Sequence, residues 1–154
     1  MTTCFWLLIS ATIGGAPVSG SVSVSASLAE ASALRQHLDE AGALSKYRQA
    51  LAEDSSNLDA LWNASYLATI LGARDSLHHS PLLDLGRHLA ETALKDWPDH
   101  PESHFALAVN LALDLKHLHI KEKVAASKLL RTEIRRTLEL LRAGGGGSMP
   151  SVTG

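Results

Sequence analysis

The residues of this chain best suited to chemistry are its eight histidines, six of which fall in pairs: His78 with His79, His100 with His104, and His117 with His119. Two imidazoles are half of a zinc site, which needs three or four convergent nitrogen, sulfur or oxygen ligands. Here each pair lies on a different connection, and the single cysteine, Cys4, stands at the N-terminus. His100 and His104 have helical spacing, but Pro101 sets His100 at a helix edge rather than on a shared face. The histidines therefore read as exposed loop residues, with no metal site. Asp39, Glu40, Glu53 and Asp54 read as solvated helix faces and caps rather than as a general acid and base. There is no nucleophile elbow, no phosphate loop and no Gly-x-Gly-x-x-Gly, because the terminal glycine run lacks a following lysine and helix. No catalytic residue and no cofactor are expected. A metal-dependent or hydrolytic fragment using the His-rich loops stands only as the alternative to a binding role, together with a truncated domain lacking a function of its own.

Composition agrees. The chain has 154 residues, 45% hydrophobic but only 5% aromatic, as in an ordinary Ala- and Leu-rich helical domain. A formal net charge of -2 gives no global pull toward nucleic acid or an anionic membrane. Charge is uneven, however, and residues 120–142 are locally basic. Nucleic acid is not an expected partner, since aromatic interleaving and overall positive charge are both missing.

Residues 1–26 read as a signal peptide: a short apolar run from Phe5 to Ile13, the breaker Gly14-Gly15-Ala16-Pro17, and Val24-Ser25-Ala26 before a cut. The run is too short to span a bilayer, so no stable membrane insertion of the mature chain is expected. No Lys or Arg precedes it, which departs from the usual positive start. Export, to the periplasm or outside the cell, is the expected localisation, and the cysteine leaves with the leader.

The elements that would position any site are six helices. Leu28, Ala31, Leu34, Leu38 and Ala41 place the first over 28–41, with a second over 43–53 and its stripe of Ala43, Tyr47, Ala50 and Leu51. Ser56 followed by Asp59 predicts a capping box for a third helix over 58–71, ended by Gly72 as a left-handed cap. Ser80-Pro81 opens the fourth, Trp97-Pro98-Asp99-His100-Pro101 breaks the chain, and 102–115 and 121–142 are the fifth and sixth. In the last, Lys128, Arg131, Arg135 and Arg142 lie opposite Leu130, Ile134, Leu138 and Leu141, so its apolar side is expected in the stack.

Ala50, Ala93 and Thr137 are equivalent points, 43 and then 44 residues apart, of a helical hairpin that recurs three times. A fold in which helix pairs stack, each burying its apolar face on the next, follows. The set Ala43, Tyr47 and Ala50, the exit Leu51-Ala52-Glu53-Asp54, the Gly72 turn and the exit Ala93-Leu94-Lys95-Asp96-Trp97-Pro98 resemble tetratricopeptide-like repeats, which usually recur at about 34 residues. The segment from His100-Pro101-Glu102 through Phe105 to Asn110, followed by Ile120-Lys121-Glu122-Lys123, is similar to the regulator of microtubule dynamics family and its bacterial relatives. That resemblance implies an all-α fold of about three tetratricopeptide-like hairpins, an α-solenoid over 27–142, and an adaptor or scaffold without a catalytic constellation. Where the family continues into another helix, this chain runs into Gly144-Gly145-Gly146-Gly147-Ser148, so 143–154 reads as a flexible tail and the pattern as truncated before its terminal cap.

By the same resemblance the first helix of each pair faces a concave partner groove. Asp59, Trp62, Asn63, Tyr66 and Thr69 of the third helix and Glu102, Phe105, Val109 and Leu113 of the fifth are its expected contacts with a protein or peptide. Trp62, Tyr66 and Phe105 are of the types that dominate binding energies, and they serve equally well in packing between repeats. A carboxylate clamp would need several Lys or Arg, and only Asn63 fits that pattern. Self-association through the uncapped last helix is the other expectation.

Overall fold

Helix boundaries here are set by side chains that satisfy backbone N–H groups the helix itself leaves unpaired. The computed structural model describes residues 19–74 and 80–144, so residues 1–18 of the expected leader, His78 and His79, and the expected tail beyond Gly144 lie outside the described residues. Helices α1 (Ser19–Gln36), α2 (Glu40–Glu53), α3 (Leu58–Ala73), α4 (Pro81–Asp96), α5 (Pro101–Asp114) and α6 (Ile120–Gly144) follow one another, with a short 3-10 turn, Leu115–His117, before the last. Asp39, Asn57, Ser80 and His100 cap α2 to α5 by accepting from Gly42, Ala60, Leu82 and Ser103. Proline stands in the first turn of α4 and α5, where its missing N–H costs nothing.

Three expectations are corrected. The first break falls at 37–39, inside the helix expected over 28–41: Leu38 takes φ 61°, its N–H donates to the Arg35 carbonyl at 3.0 Å, and the Asp39 N–H donates to Leu34 at 2.9 Å. This paired closure ends a helix whose next residue turns left-handed, a place usually held by glycine. Gly42 is a residue of α2's first turn. The cap of α3 is Asn57 rather than Ser56, whose N–H and hydroxyl both donate to Asp54. Those two bonds, hydroxyl first, hold the Asp54 carboxyl below its ordinary value of 3.8. Gly72 is no left-handed cap either, since α3 runs through it to Ala73 and no glycine has positive φ among the described residues.

Packing explains Gly72. Each helix packs on its neighbour in sequence, and α3 also packs on α5, so the first helix of one pair touches the first of the next. That is the arrangement of a stack of hairpins, and no strand occurs among the described residues. Its interior is built from small residues: Ala31, Ala43, Ala50, Ala64, Ala90 and Ala93 are fully buried, letting helix axes come close, while Leu61, Leu83 and Leu111 fill the larger gaps. Helices α3 and α4 approach closely at two glycines. A Cβ on Gly72 would lie 2.9 Å from the Leu83 nitrogen, and one on Gly86 would lie 2.9 Å from the Ser65 carbonyl oxygen and against the Thr69 hydroxyl.

Polar ties lock these faces. The Ser65 hydroxyl donates to the Gly86 carbonyl at 2.7 Å. The Asn110 amide of α5 donates to both the Thr69 hydroxyl (3.0 Å) and the Leu83 carbonyl (2.8 Å), joining three helices. All of these side chains are buried, where a satisfied bond stabilises by about 1 kcal/mol and an orphaned group costs more.

Candidate functional site

Because α3 and α5 lie side by side, residues one turn apart on each meet across a shared surface. The rings of Tyr66 and Phe105 are stacked with centroids 6.2 Å apart, and Trp62 meets the ring of His100 at 6.5 Å. Phe105 remains 49% exposed, Trp62 and Tyr66 are half-buried, and Val109 and Leu113 continue the surface along α5 as half-buried residues. Asp59 and Glu102, both exposed, stand near the N-terminal ends of the two helices. This aromatic surface therefore brings together seven of the nine expected residues on two adjacent helices.

The other two lie inside. Thr69 is fully buried as the acceptor from Asn110, and Asn63, 6% exposed, donates to the Asp59 carbonyl at 2.8 Å while accepting from the Arg35 guanidinium. The spacing that put them on one face with Trp62 and Tyr66 is right for the helix. The face is wide, though, and its inner edge is taken by α1 and α5.

Three histidines are not the exposed loop residues expected of them, and one, His117, is half-buried in the 3-10 turn before α6. His100 caps α5: its Nδ1 accepts from the Ser103 N–H at 3.2 Å, and its Nε2 lies 3.2 Å from Glu102. The position was readable, since the residue before a first-turn proline is a cap. The His104 side chain, 12% exposed, sits between two acceptors, with Nδ1 2.6 Å from Glu133 Oε2 and Nε2 2.8 Å from the Pro98 carbonyl oxygen. With a carbonyl at one nitrogen and a carboxyl at the other, the ring bridges two acceptors on different elements. The pair clamps α5 to α6 and to the turn before α5. Neither residue's partner could be read from a sequence in which they are 29 apart. Among the described residues, no three His, Cys, Asp or Glu stand close enough together to hold a metal ion.

The last helix departs from expectation most. Its inner face is Ala126, Glu133 and Thr137, flanked by half-buried Leu130, whereas Ile134, Leu138 and Leu141 are about half exposed. Among the described elements α6 packs chiefly against α5 and the 3-10 turn, and part of its apolar arc faces outward. Between the two helices, Pro101, Glu102, Phe105, Thr137 and Leu141 line a pocket of about 220 Å³. None of the described helices is long and apolar enough to cross a membrane.

The family model described as regulator of microtubule dynamics protein 1-3 matches residues 27–143. No curated protein and no solved structure matches the chain.

Proposed function

We propose that this chain, which belongs to the regulator of microtubule dynamics protein 1-3 family, is a non-enzymatic protein-interaction module that buries a partner segment on the α3/α5 surface. The observation that supports this reading is the two ring pairs, Trp62 with His100 and Tyr66 with Phe105, which join α3 to α5 while Phe105 stays half in water. Large, rigid aromatic side chains at a surface supply contact area at small entropic cost and are the types enriched at binding hot spots. Val109 and Leu113 extend the apolar floor, and Asp59 and Glu102 select against acidic residues at its one end. The helices are mutually tied beforehand, so little ordering is needed on binding. The family's name concerns microtubule dynamics, a class of activity that works through protein interaction.

Selection of peptides from a displayed random library on the full chain tests the reading. Enriched peptides should lose about tenfold or more in affinity on Trp62→Ala or Phe105→Ala, a hot-spot-sized effect, and little on His117→Ala or His119→Ala. Circular dichroism should show each variant folded. No enrichment, or binding indifferent to both aromatic changes, would remove the α3/α5 surface as the site.

We also propose export, with a leader cut after Ala26. Such a cut would start the mature α1 at Ser27 and take Val24 out of the first core cluster, leaving Ala31 to anchor the helix. Intact-mass measurement after expression in an exporting host should find a chain beginning at Ser27. Full-length protein recovered from the cytoplasm alone would end this proposal.

A further inference from the structure

The end of the stack formed by α5 and α6 carries a surface that no other described element covers. The second pair presents a groove between α3 and α4 that is filled by α5, which packs on both. Trp62 and Phe105 are equivalent in this scheme, each the fifth residue after its helix's cap, Asn57 and His100. Trp62 is met by the ring of His100. Phe105, stacked on Tyr66 from the preceding pair, also borders the pocket it shares with Pro101, Thr137 and Leu141, and the exposed Ile134 and Leu138 prolong that apolar trough along α6.

Charge indicates what fits there. Lys46, Arg74, Arg87 and Arg136 each pair with a carboxylate. On the outer rim of the trough, Arg131, Arg135 and Arg142 are exposed and make no ion pair with any described residue. The opposite rim, on α5, carries Glu102. An apolar trough with one cationic rim is complementary to a helix whose apolar stripe is bordered by Asp or Glu. A second copy packed about a two-fold axis would set the three arginines either against their own copies or, with the axis along the trough, against the rim where Glu102 is the one acid lining the pocket, leaving most of their charge unmatched in both cases.

We propose that the α5/α6 groove docks an amphipathic helix of another polypeptide, with a large apolar residue in the Phe105–Leu141 pocket and acidic residues against Arg131, Arg135 and Arg142. The surface is separate from the Trp62 end of the α3/α5 site, so Trp62→Ala distinguishes failure of one reading from failure of the other.

The test uses the full chain and two synthetic helical peptides with the same leucine stripe, one flanked by glutamate and one by lysine, followed by fluorescence anisotropy. The glutamate peptide should bind. Arg131→Glu with Arg135→Glu should weaken it by about tenfold or more and shift preference to the lysine peptide. Leu138→Asp with Leu141→Asp should weaken both, and Trp62→Ala neither. These side chains are half exposed, so the variants should keep the wild-type circular dichroism. Equal binding of the two peptides, binding of neither, or indifference to Leu138→Asp with Leu141→Asp would overturn the proposal. So would a dimer dissolved by Leu141→Asp, which would make a second copy the occupant. Arginine-dependent capture on phosphatidylserine–phosphatidylcholine vesicles, with neither peptide bound, would reassign the groove to a lipid surface.

Discussion

Replacing Gly86 by alanine should destabilise the protein, although alanine is the better helix former. In an unconstrained helix the change would stabilise by about 0.8–1.0 kcal/mol. At Gly86 the added carbon would sit 2.9 Å from the Ser65 carbonyl oxygen and 3.2 Å from the Thr69 nitrogen, both backbone atoms that cannot swing aside. The helices α3 and α4 must therefore part, and overpacking of this kind costs about 1–3 kcal/mol. Parting also stretches the Ser65–Gly86 bond of 2.7 Å and disturbs the Thr69–Asn110 bond of 3.0 Å, each worth about 1 kcal/mol when buried. The net expectation is a loss of about 2 kcal/mol, or about 8 °C in melting temperature for a domain of this size. Thermal melts followed by circular dichroism measure it, with Gly144→Ala as control, because nothing lies within 4 Å of a Cβ there. A Gly86→Ala protein that melts with or above the wild type would refute the close approach of α3 and α4.

Leu38→Gly should stabilise by about 1 kcal/mol in urea melts, since Leu38 holds a left-handed backbone while 86% exposed, and glycine removes that strain without loss of burial. His104→Ala should cost about 3 kcal/mol by leaving the Glu133 carboxylate buried without its partner, and His104→Ala with Glu133→Leu should recover most of it. If the single and double variants melt together, the pair is no clamp. The Asp54 carboxyl should titrate by NMR below 3.8, and Ser56→Ala should raise its midpoint toward that value. Because the folded value is the lower one, the small stability it contributes is present above the unfolded value and lost as pH falls through the folded one.

Much of the architecture was legible because it is written in local chemistry. Ser80-Pro81 and Trp97-Pro98-Asp99-His100-Pro101 combine caps and breakers that act within one turn, and α4 and α5 begin where they say. Leu38 defeated the reading because its left-handed turn is imposed on a residue that does not favour it, so an apolar spacing ran through a helix end. Gly72 misled for the opposite reason: a glycine after an apolar run looks like a stop, and only the arrival of α4 shows it to be a contact point. Ser56 and Asn57 are both good caps, and which one serves depends on Asp54 taking the serine. At the candidate site, the repeat offset that equates Trp62 with Phe105 was visible. The depth of Asn63 and Thr69, and the exposure of Ile134 and Leu138, depend on which neighbours arrive, and that is settled only in three dimensions.

Asn110 carries a consequence for how the protein comes apart. Both its amide bonds are spent on different helices of the preceding pair, so sliding α5 by one turn would strand three polar groups among alanines and leucines. A stack linked only by apolar contacts could peel from one end, hairpin by hairpin. Here the second and third hairpins are riveted, and under mechanical pull or in hydrogen exchange α3, α4 and α5 should open as one event while α1 and α2 open first.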